Sequence, residues 1–223
     1  MAGISVVVPT LNEEAHVAEA IRSAREGAPE VEVLVVDGGS CDRTRAVAEA
    51  AGATVVAAPR GRGVQLDQGA RRAEGDWLVF LHADTRLECG WAEALRALPP
   101  PVVGGAFRFA VDSPRRCYRW IEAGVALRCR VFRLPFGDQG IFVRRPSYAA
   151  TGGFPPIPLM EDVAFVKRLA LEGRLAFPPV RAFTSPRRWE RAGIVSTTVR
   201  NWWLLGLYAA GLPPQRLARM YDA

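Results

Sequence analysis

Residues 77–85 have the sequence WLVFLHADT. Five apolar residues run into the tripeptide His-Ala-Asp at residues 82–84, and a Gly-Asp turn precedes them. A continuous apolar run this short, bounded by turn residues, predicts a strand that is buried on both faces of a parallel sheet. Ligands bind at the carboxyl ends of the strands in such sheets. Asp84 is therefore well placed to hold a divalent cation against a phosphate, unless it is only a solvated acid at a strand end.

The segments around this strand alternate between strand and helix patterns. Strands are predicted over residues 4–8, 31–36, 53–57 and 77–81, and helices over 17–24, 44–51 and 65–73. Strands separated by helices favour an α/β fold with a mostly parallel, helix-flanked sheet. Beyond the three prolines at residues 99–101 the pattern is less regular. It predicts a strand over 102–111 interrupted by two glycines, a helix over 115–133, a strand over 141–143, a helix over 163–171 and a long apolar segment from 194.

Composition excludes several classes of protein. The 223 residues, 49% apolar and 23% charged, suit one substantial globular domain with a small appendage. An uncharged apolar run of about 18 residues, which a membrane span requires, is missing, and the first strand begins without a basic signal segment. The four cysteines have no metal-site spacing and predict reduced thiols in the cytoplasm.

The charge is distributed unevenly along the chain. Residues 1–107 carry 10 basic and 15 acidic side chains, whereas residues 108–223 carry 19 and 8. This asymmetry indicates that the second half faces an anionic partner, which could be nucleic acid, a membrane surface or a phosphorylated small molecule. Nucleic acid is the least favoured, because basic runs with interleaved aromatic residues are not found.

Acidic residues follow predicted strand ends or sharp turns at four places. They are residues 13–14, Asp37 in a Gly-rich turn, Asp84, and residues 161–162 at the start of a helix. The parallel sheet would bring the first three to one edge. Taken alone, Asp37 and Asp162 could each be helix N-caps, which need only a short oxygen side chain.

These residues resemble the inverting family 2 glycosyltransferases, which have the GT-A fold, over most of the chain. VPTLNEE at residues 8–14 is similar to the opening motif of that family, which lies against the nucleotide, and Asp37 matches its base-recognising Asp. Residues 61–65 are similar to the segment that closes over the nucleotide. Residues 82–84 occupy the position of the metal-binding Asp-x-Asp motif, residues 160–162 that of the catalytic acidic pair, and residues 187–189 resemble the Arg-Trp end of the motif Gln-x-x-Arg-Trp.

The spacing of HADT, FGDQG, LMEDV and RRWE resembles more narrowly a small bacterial subgroup of radical-SAM-associated, or selenodomain-associated, transferases. Two positions depart from the family pattern. His82 replaces the first Asp of Asp-x-Asp, although Mg²⁺ or Mn²⁺ keeps several waters, so one Asp can suffice. Ser185 stands where processive members have Gln, which weakens any expectation of polymer synthesis.

The resemblance implies a GT-A domain over residues 1–190, with a nucleotide-binding half (1–100) and an acceptor half (101–190), followed by a helical extension over 191–223. It implies metal-dependent transfer of a sugar from a nucleoside-diphosphate sugar, UDP favoured, to an acceptor hydroxyl by one displacement. The cofactor would be Mn²⁺ or Mg²⁺ on Asp84. Asp162 would be the general base, and Glu161 would hold the acceptor or the loop.

The remaining site residues fall into two implied groups. The donor nucleotide would be bound by Pro9, Thr10, Glu13, Asp37, Gly38, Arg62, Gln65, His82 and Ala83. The acceptor or the diphosphate would be bound by Asp138, Gln139, Arg187, Arg188 and Trp189. Three alternatives stay open: His82 could only pack, the 138–139 loop could be a turn needed for backbone reasons, and Trp189 could be a core aromatic residue.

Residues 195–211 carry two tryptophans and several leucines, with Arg200 as their single charge. They predict a packed helix, a dimer interface, or an interfacial helix on a membrane that would suit a lipid-linked acceptor. The expected location is therefore the cytoplasm or the inner face of the membrane. Two competing functions are a sugar-phosphate nucleotidyltransferase, disfavoured by Asn-Glu-Glu where a phosphate loop would stand, and a non-catalytic nucleotide-sugar or membrane-surface binding protein.

Overall fold

Strand β1 lies in a seven-stranded sheet in the computed structural model, which describes residues 3–222. The predicted domains also include residues 1, 2 and 223, which lie outside this range. The strands of this sheet are β1 (Ile4–Thr10), β2 (Glu32–Asp37), β3 (Thr54–Ala57), β4 (Trp77–Phe80), β6 (Val102–Ala106), β8 (Ile141–Arg144) and β9 (Arg174–Ala176). Their order is β3-β2-β1-β4-β8-β6-β9. Since β8 runs antiparallel to both of its neighbours, the sheet is mixed but mostly parallel, as expected.

Helices cover both faces of the sheet and form the end of the chain. They are α1 (Val17–Arg25), α2 (Thr44–Ala50), α3 (Arg62–Arg72), α4 (Trp91–Arg96), α5 (Cys117–Phe132), α6 (Arg145–Ala150), α7 (Glu161–Glu172), α8 (Arg187–Ala192), α9 (Ile194–Ala209) and α10 (Pro214–Asp222). Successive strand side chains point to opposite faces, so β1 contributes Val6 and Val8 to one core and Val7 to the other. This two-faced burial is the physical reason for the uninterrupted apolar strands.

The strand predicted over residues 102–111 is two strands in different sheets. β6 ends at Ala106, and β7 (Arg108–Val111) joins a small sheet in the order β5-β10-β7, with β5 (Thr85–Leu87) and β10 (Arg181–Thr184). The glycines do not mark the break, because both lie inside β6. A Cβ on Gly105 would overlap the carbonyl oxygen of Ala176, so the close approach of β9 requires glycine there.

The two predicted halves of the main domain interleave. The central sheet combines β1–β4 with β6, β8 and β9, and the small sheet combines β5 with β7 and β10. The predicted boundary at residue 190 falls within α8. Helices α9 and α10 follow and contact each other. Across residues 3–222, none of the helices has the length and apolarity needed to cross a membrane.

Candidate active site

The carboxyl ends of β1, β2 and β4 lie side by side at one edge of the central sheet. Thr10 at the end of β1 pairs with Asp37 at the end of β2. Residues 82–84 follow β4, which pairs with β1 on its other side. The structure therefore brings these strand ends together as the sequence predicts.

Asp37 is buried and holds the loop that follows it. Its Oδ2 accepts hydrogen bonds from the backbone N–H groups of Gly39 (3.1 Å) and Ser40 (3.0 Å). Its Oδ1 accepts hydrogen bonds from the hydroxyls of Ser40 and Thr10. Gly39 has a φ of +94°, a conformation that favours glycine. The loop is therefore fixed by its own side chains.

Gln65 fastens the ends of β1 and β2 from helix α3. Its buried amide nitrogen donates to the carbonyl oxygens of Thr10 and Val36, both at 2.8 Å. A Cβ on Gly38 would lie 3.0–3.1 Å from this amide group, so the loop has little room for a larger residue. Pro9 lies half-buried in β1 beside them. We call Thr10, Asp37, Gly38 and Gln65 the donor edge.

Arg187 joins two of the predicted acidic residues in one ion cluster. One of its terminal nitrogens lies 2.9 Å from Glu13, and its Nε lies 3.0 Å from Asp84. The hydrogen bonds with Glu13, and then the charge of Asp84, raise the pKa of Arg187. Ala83, a predicted donor contact, has its side chain buried in the hydrophobic core. The structure therefore separates Ala83 from the polar residues around it.

His82 is a neutral imidazole at neutral pH. Burial, and then the positive charge of Arg62, lowers its pKa to about 4. The loop at Gly137 lies against it, because a Cβ there would be 2.7 Å from Nε2 of His82. A neutral imidazole offers one hydrogen-bond donor and one acceptor but no charge.

Glu161 begins helix α7 and forms an ion pair with Arg62. Its side chain is buried, and burial raises its pKa while the charge of Arg62 opposes that shift. Its second oxygen, Oε2, is buried without a hydrogen-bond partner among residues 3–222. Burial alone would lower the pKa of the Arg62 guanidinium. The negative charges of Glu161 and Asp162 outweigh this effect and raise it. The salt bridge therefore leaves one oxygen of Glu161 without a hydrogen-bond partner among the described residues.

Asp162 links helix α7 to the loop that carries Gly137. Its Oδ2 accepts a hydrogen bond of 2.8 Å from the backbone N–H of Gly137. Its Oδ1 accepts one of 2.7 Å from the N–H of Val163. Two backbone donors fix the direction of the carboxylate, and each oxygen keeps a further lone pair. Asp162 is thus oriented as a hydrogen-bond acceptor.

Asp138 and Arg188 complete the charged lining. Burial raises the pKa of Asp138, against the opposing charges of Arg128 and Arg188. Oδ1 of Asp138 is buried and has no hydrogen-bond partner within the described chain. Arg188 is exposed, and among the described residues it forms no ion pair. Its charge is available to a ligand.

Gln139 and Trp189 face the protein interior. The amide oxygen of Gln139 accepts hydrogen bonds from Arg128 (3.0 Å) and from the N–H of Phe136 (3.1 Å), so its polar group is engaged behind the loop. Trp189 packs edge-on against Phe109 in a small core cluster. The structure gives both residues supporting positions, which for Trp189 matches the alternative of a core aromatic residue.

Five predicted site residues line one cavity of about 300 Å³, which we call the cleft: Arg62, His82, Asp138, Asp162 and Arg188. Asp84 lies outside this cavity and lines a neighbouring one of about 220 Å³. Sequence reasoning missed other lining residues, among them Phe136, Met160, Asn201 and Tyr221. Met160 precedes α7 in the left-handed conformation (φ 66°), and Tyr221 arrives from α10. Met160 lies in the motif at residues 160–162 but was not itself predicted as a site residue, and Tyr221 has no sequence signal that would have found it.

Asp84 is the residue that the sequence predicts to hold a divalent cation. No group of three or more His, Cys, Asp or Glu side chains suited to a metal ion occurs within residues 3–222. Mg²⁺ and Mn²⁺ prefer oxygen ligands and are often held by one or two carboxylates together with phosphate oxygens. Asp84 supplies one such carboxylate, and in this structure it forms an ion pair with Arg187.

Residues 5–99 match the family model described as glycosyl transferase family 2, which covers fewer than half of the 223 residues. No curated protein matches the chain. Solved structures match over more of it. S. aureus TarS 1–349 in complex with UDP has a TM-score of 0.64 at 19% identity over 82% of this chain and 60% of that one.

Two further structures have similar scores. The Pyrobaculum calidifontis mannosyltransferase PcManGT, in complex with GDP-Man and Mn²⁺, has a TM-score of 0.60 at 23% identity over 80% of this chain and 55% of that one. Glucosyl-3-phosphoglycerate synthase from Mycobacterium tuberculosis, with Mn²⁺, UDP and its product, scores 0.58 at 22% identity, covering 86% and 76%.

This chain has the GT-A glycosyltransferase fold. Residues 5–99 carry the family 2 pattern, and the similarity to the solved structures confirms the predicted fold class. The chain spans 60% or less of the length of the first three TarS structures it matches. The narrower resemblance to radical-SAM-associated transferases stays a prediction.

Proposed function

We propose that this protein is a metal-dependent inverting glycosyltransferase that uses a nucleoside-diphosphate sugar, UDP-sugar in preference, and an acceptor hydroxyl. The observation that carries the proposal is the cleft, where an oriented carboxylate, Asp162, faces a neutral imidazole and two arginines. The family 2 match and the GT-A fold support the reaction class. UDP or a UDP-sugar in the TarS and glucosyl-3-phosphoglycerate synthase structures supports the preference for UDP.

Asp162 acts as the general base of a single displacement. It takes the proton of the acceptor O–H, the acceptor oxygen forms a bond to the anomeric carbon, and the bond from that carbon to the diphosphate oxygen breaks with its electron pair. Attack opposite the leaving group inverts the anomeric centre. The backbone N–H groups of Gly137 and Val163 support this role, because they hold the carboxylate in one orientation before the substrate binds.

Arg188 stabilises the negative charge that develops on the departing diphosphate. Arg62 is committed to Glu161, whereas Arg188 has no ion-pair partner within the described residues. A positive charge that lies where negative charge develops lowers the energy of the transition state. A divalent cation on Asp84 would supply further Lewis-acid stabilisation of the same diphosphate when bound.

His82 contributes a hydrogen bond and not a positive charge. With a pKa of about 4, its ring is neutral where enzymes normally work. It occupies the first position of the Asp-x-Asp motif, so the exchange removes one negative charge from the metal side of the site. A hydrogen bond from this ring to the sugar or to the diphosphate would be retained across the neutral pH range.

The donor edge binds the nucleotide through the preformed loop at Asp37. Gly38 and Gly39 allow a ligand to approach the backbone closely. Glu161 takes the supporting role, since it holds Arg62 in place at the cleft wall. Asp138 lies at the acceptor side with a buried oxygen that a hydroxyl could satisfy.

The test is the Asp162→Asn variant, because Asn keeps the size and shape of the side chain but is far less basic; its amide nitrogen cannot accept one of the two backbone N–H bonds. Turnover of the best donor from a panel of UDP- and GDP-sugars should fall about 10²- to 10⁴-fold, the range typical of a lost general base. The dissociation constant for UDP in the presence of Mn²⁺, measured by calorimetry, should stay unchanged. Nucleoside diphosphate release, with water or an added alcohol as acceptor, reports turnover.

Glu93→Gln is the matched control, since Glu93 is an exposed carboxylate on α4. It should leave both measurements as they are. If Asp162→Asn turns over at the wild-type rate, Asp162 is not the base. If instead the wild type binds UDP and turns over none of the donors, the protein is a nucleotide-sugar binding protein.

A further inference from the structure

Helix α5 presents an apolar stripe to solvent. Trp120, Leu127 and Val131 fall on one helical face, and their side chains are 82%, 62% and 58% exposed. The opposite face of the helix is already used, because Tyr118 and Cys129 are buried in the fold. A helix that packs its inner face and still shows large apolar side chains outward has a second surface to cover.

Helix α9 presents a matching stripe. Val195, Val199 and Trp202 follow one another at helical spacing, and all three are exposed. A groove of about 330 Å³ runs between α5 and α9 and is lined mostly by apolar side chains. Trp120 of the first stripe lines this groove on one side, and all three residues of the second stripe line it on the other. We call the two stripes and the groove the α5–α9 face.

The charges around this face are nearly all positive. Residues 115–133 contain six arginines and one glutamate. That glutamate, Glu122, lies 2.9 Å from Arg119 and also accepts the backbone N–H of Val111. Two copies of the chain meeting through this face would bring the arginines against each other. An anionic surface would offset them, so charge complementarity favours anionic lipid over a second copy.

We propose that the α5–α9 face docks this protein onto an anionic lipid bilayer. Exposed tryptophans beside arginines suit the boundary between headgroups and acyl chains, where apolar rings are buried and charges remain at the phosphates. The groove shares Phe136, Asp138 and Asn201 with the cleft, so docking turns the acceptor side of the cleft toward the bilayer. Docking does not depend on the proposed transfer reaction.

The test is co-sedimentation of the full chain with vesicles of equal parts phosphatidylglycerol and phosphatidylcholine, compared with phosphatidylcholine alone. The wild type should bind the anionic vesicles, release them as salt is raised, and shift its tryptophan emission to shorter wavelength. The double variant Trp120→Ser/Leu127→Ser should bind at least ten-fold more weakly. Arg116→Gln and Arg130→Gln should each weaken binding about five-fold at low salt.

Two control variants carry the same kinds of change elsewhere. Leu171→Ser removes an exposed leucine on α7, and Arg45→Gln removes an exposed arginine on α2. Both should bind like the wild type. Absence of wild-type binding to the anionic vesicles overturns the proposal, and so does equal loss in the controls. A concentration-dependent dimer in sedimentation equilibrium that Trp120→Ser/Leu127→Ser dissociates would assign the face to a second copy instead.

Discussion

The donor edge and the cleft differ in how far their buried polar groups are hydrogen-bonded. At the donor edge, the oxygens of Asp37 accept four hydrogen bonds and the Gln65 amide nitrogen donates two. At the cleft, one oxygen of Asp138 is buried without a partner among residues 3–222, and so is one oxygen of Glu161, which pairs with the cleft residue Arg62. The edge is complete without a ligand, whereas the cleft is not.

The difference suits two roles: the donor edge is held rigid without a ligand, and the cleft has polar groups left to bind one. A buried polar atom left unpaired costs about 1–3 kcal/mol, so folds keep such atoms mainly where they serve a purpose. The donor edge holds a loop in one shape before the nucleotide arrives. Among the described residues, the cleft carries an unpaired oxygen of Asp138 and an unpaired Arg188, which a substrate with hydroxyls and a diphosphate would satisfy.

Replacing Gln65 tests the donor edge and should have the largest effect on stability at neutral pH. Gln65→Leu removes the donor to two buried carbonyls, although the carbonyl of Thr10 keeps a bond from the N–H of Gly38. We expect the free energy of unfolding to fall by about 2 kcal/mol, because each of the two hydrogen bonds contributes about 1 kcal/mol. Urea denaturation followed by circular dichroism measures this change.

Gln68→Leu is the control for that experiment, because it makes the same exchange on the same helix at a half-buried position. It should change the stability by less than about 0.5 kcal/mol. Equal losses of stability in the two variants would mean that helix α3, and not the fastening of β1 to β2, determines the result.

Local patterns in the sequence predicted which acidic residues follow the strands. Apolar runs that end in polar residues locate Asp37 and Asp84, since the parallel sheet brings strand ends together with no further information. The same patterns did not separate β6 from β7. Both segments favour strand, and only the pairing of β7 with β10 places it in another sheet.

The cleft depends on contacts between distant parts of the chain. Arg62 in the cleft pairs with Glu161 across 99 residues, and no local spacing predicts that pair. The sequence pattern also does not say which way a side chain turns. Gln139 and Trp189 stand beside cleft residues in sequence but point inward, whereas Tyr221 reaches the cleft from the last helix.

His82 makes the stability of the cleft depend on pH. Its folded pKa of about 4 lies below the ordinary value of 6.5, so between these values the unfolded chain binds the additional proton. Stability should therefore fall as the pH drops from 6.5 toward 4, with a slope of up to about 1.4 kcal/mol per pH unit. His82→Gln should remove this part of the slope.

Urea unfolding of the wild type and His82→Gln at several pH values in this interval measures the difference. The chain has two histidines, and His16→Gln assigns the His82 ring signals in a parallel NMR titration. A ring that protonates near pH 6.5 in the folded protein would show that His82 is solvated and that the cleft does not hold its imidazole in the neutral form.

Asp138→Asn tests the cleft and should have the smallest effect on stability. Unlike Gln65→Leu, it should make the protein more stable. Burial raises the pKa of Asp138 above 3.8, so its ionised form destabilises the fold, and stability is lost as the pH rises through the folded pKa. Asn keeps the shape without the charge. We expect unfolding at pH 7 to cost about 1 kcal/mol more in the variant, and the difference to vanish below pH 3.8, where Asp138 is protonated in both states. A loss of stability at pH 7 would mean that the carboxylate is already satisfied, and that the cleft, like the donor edge, is complete without a ligand.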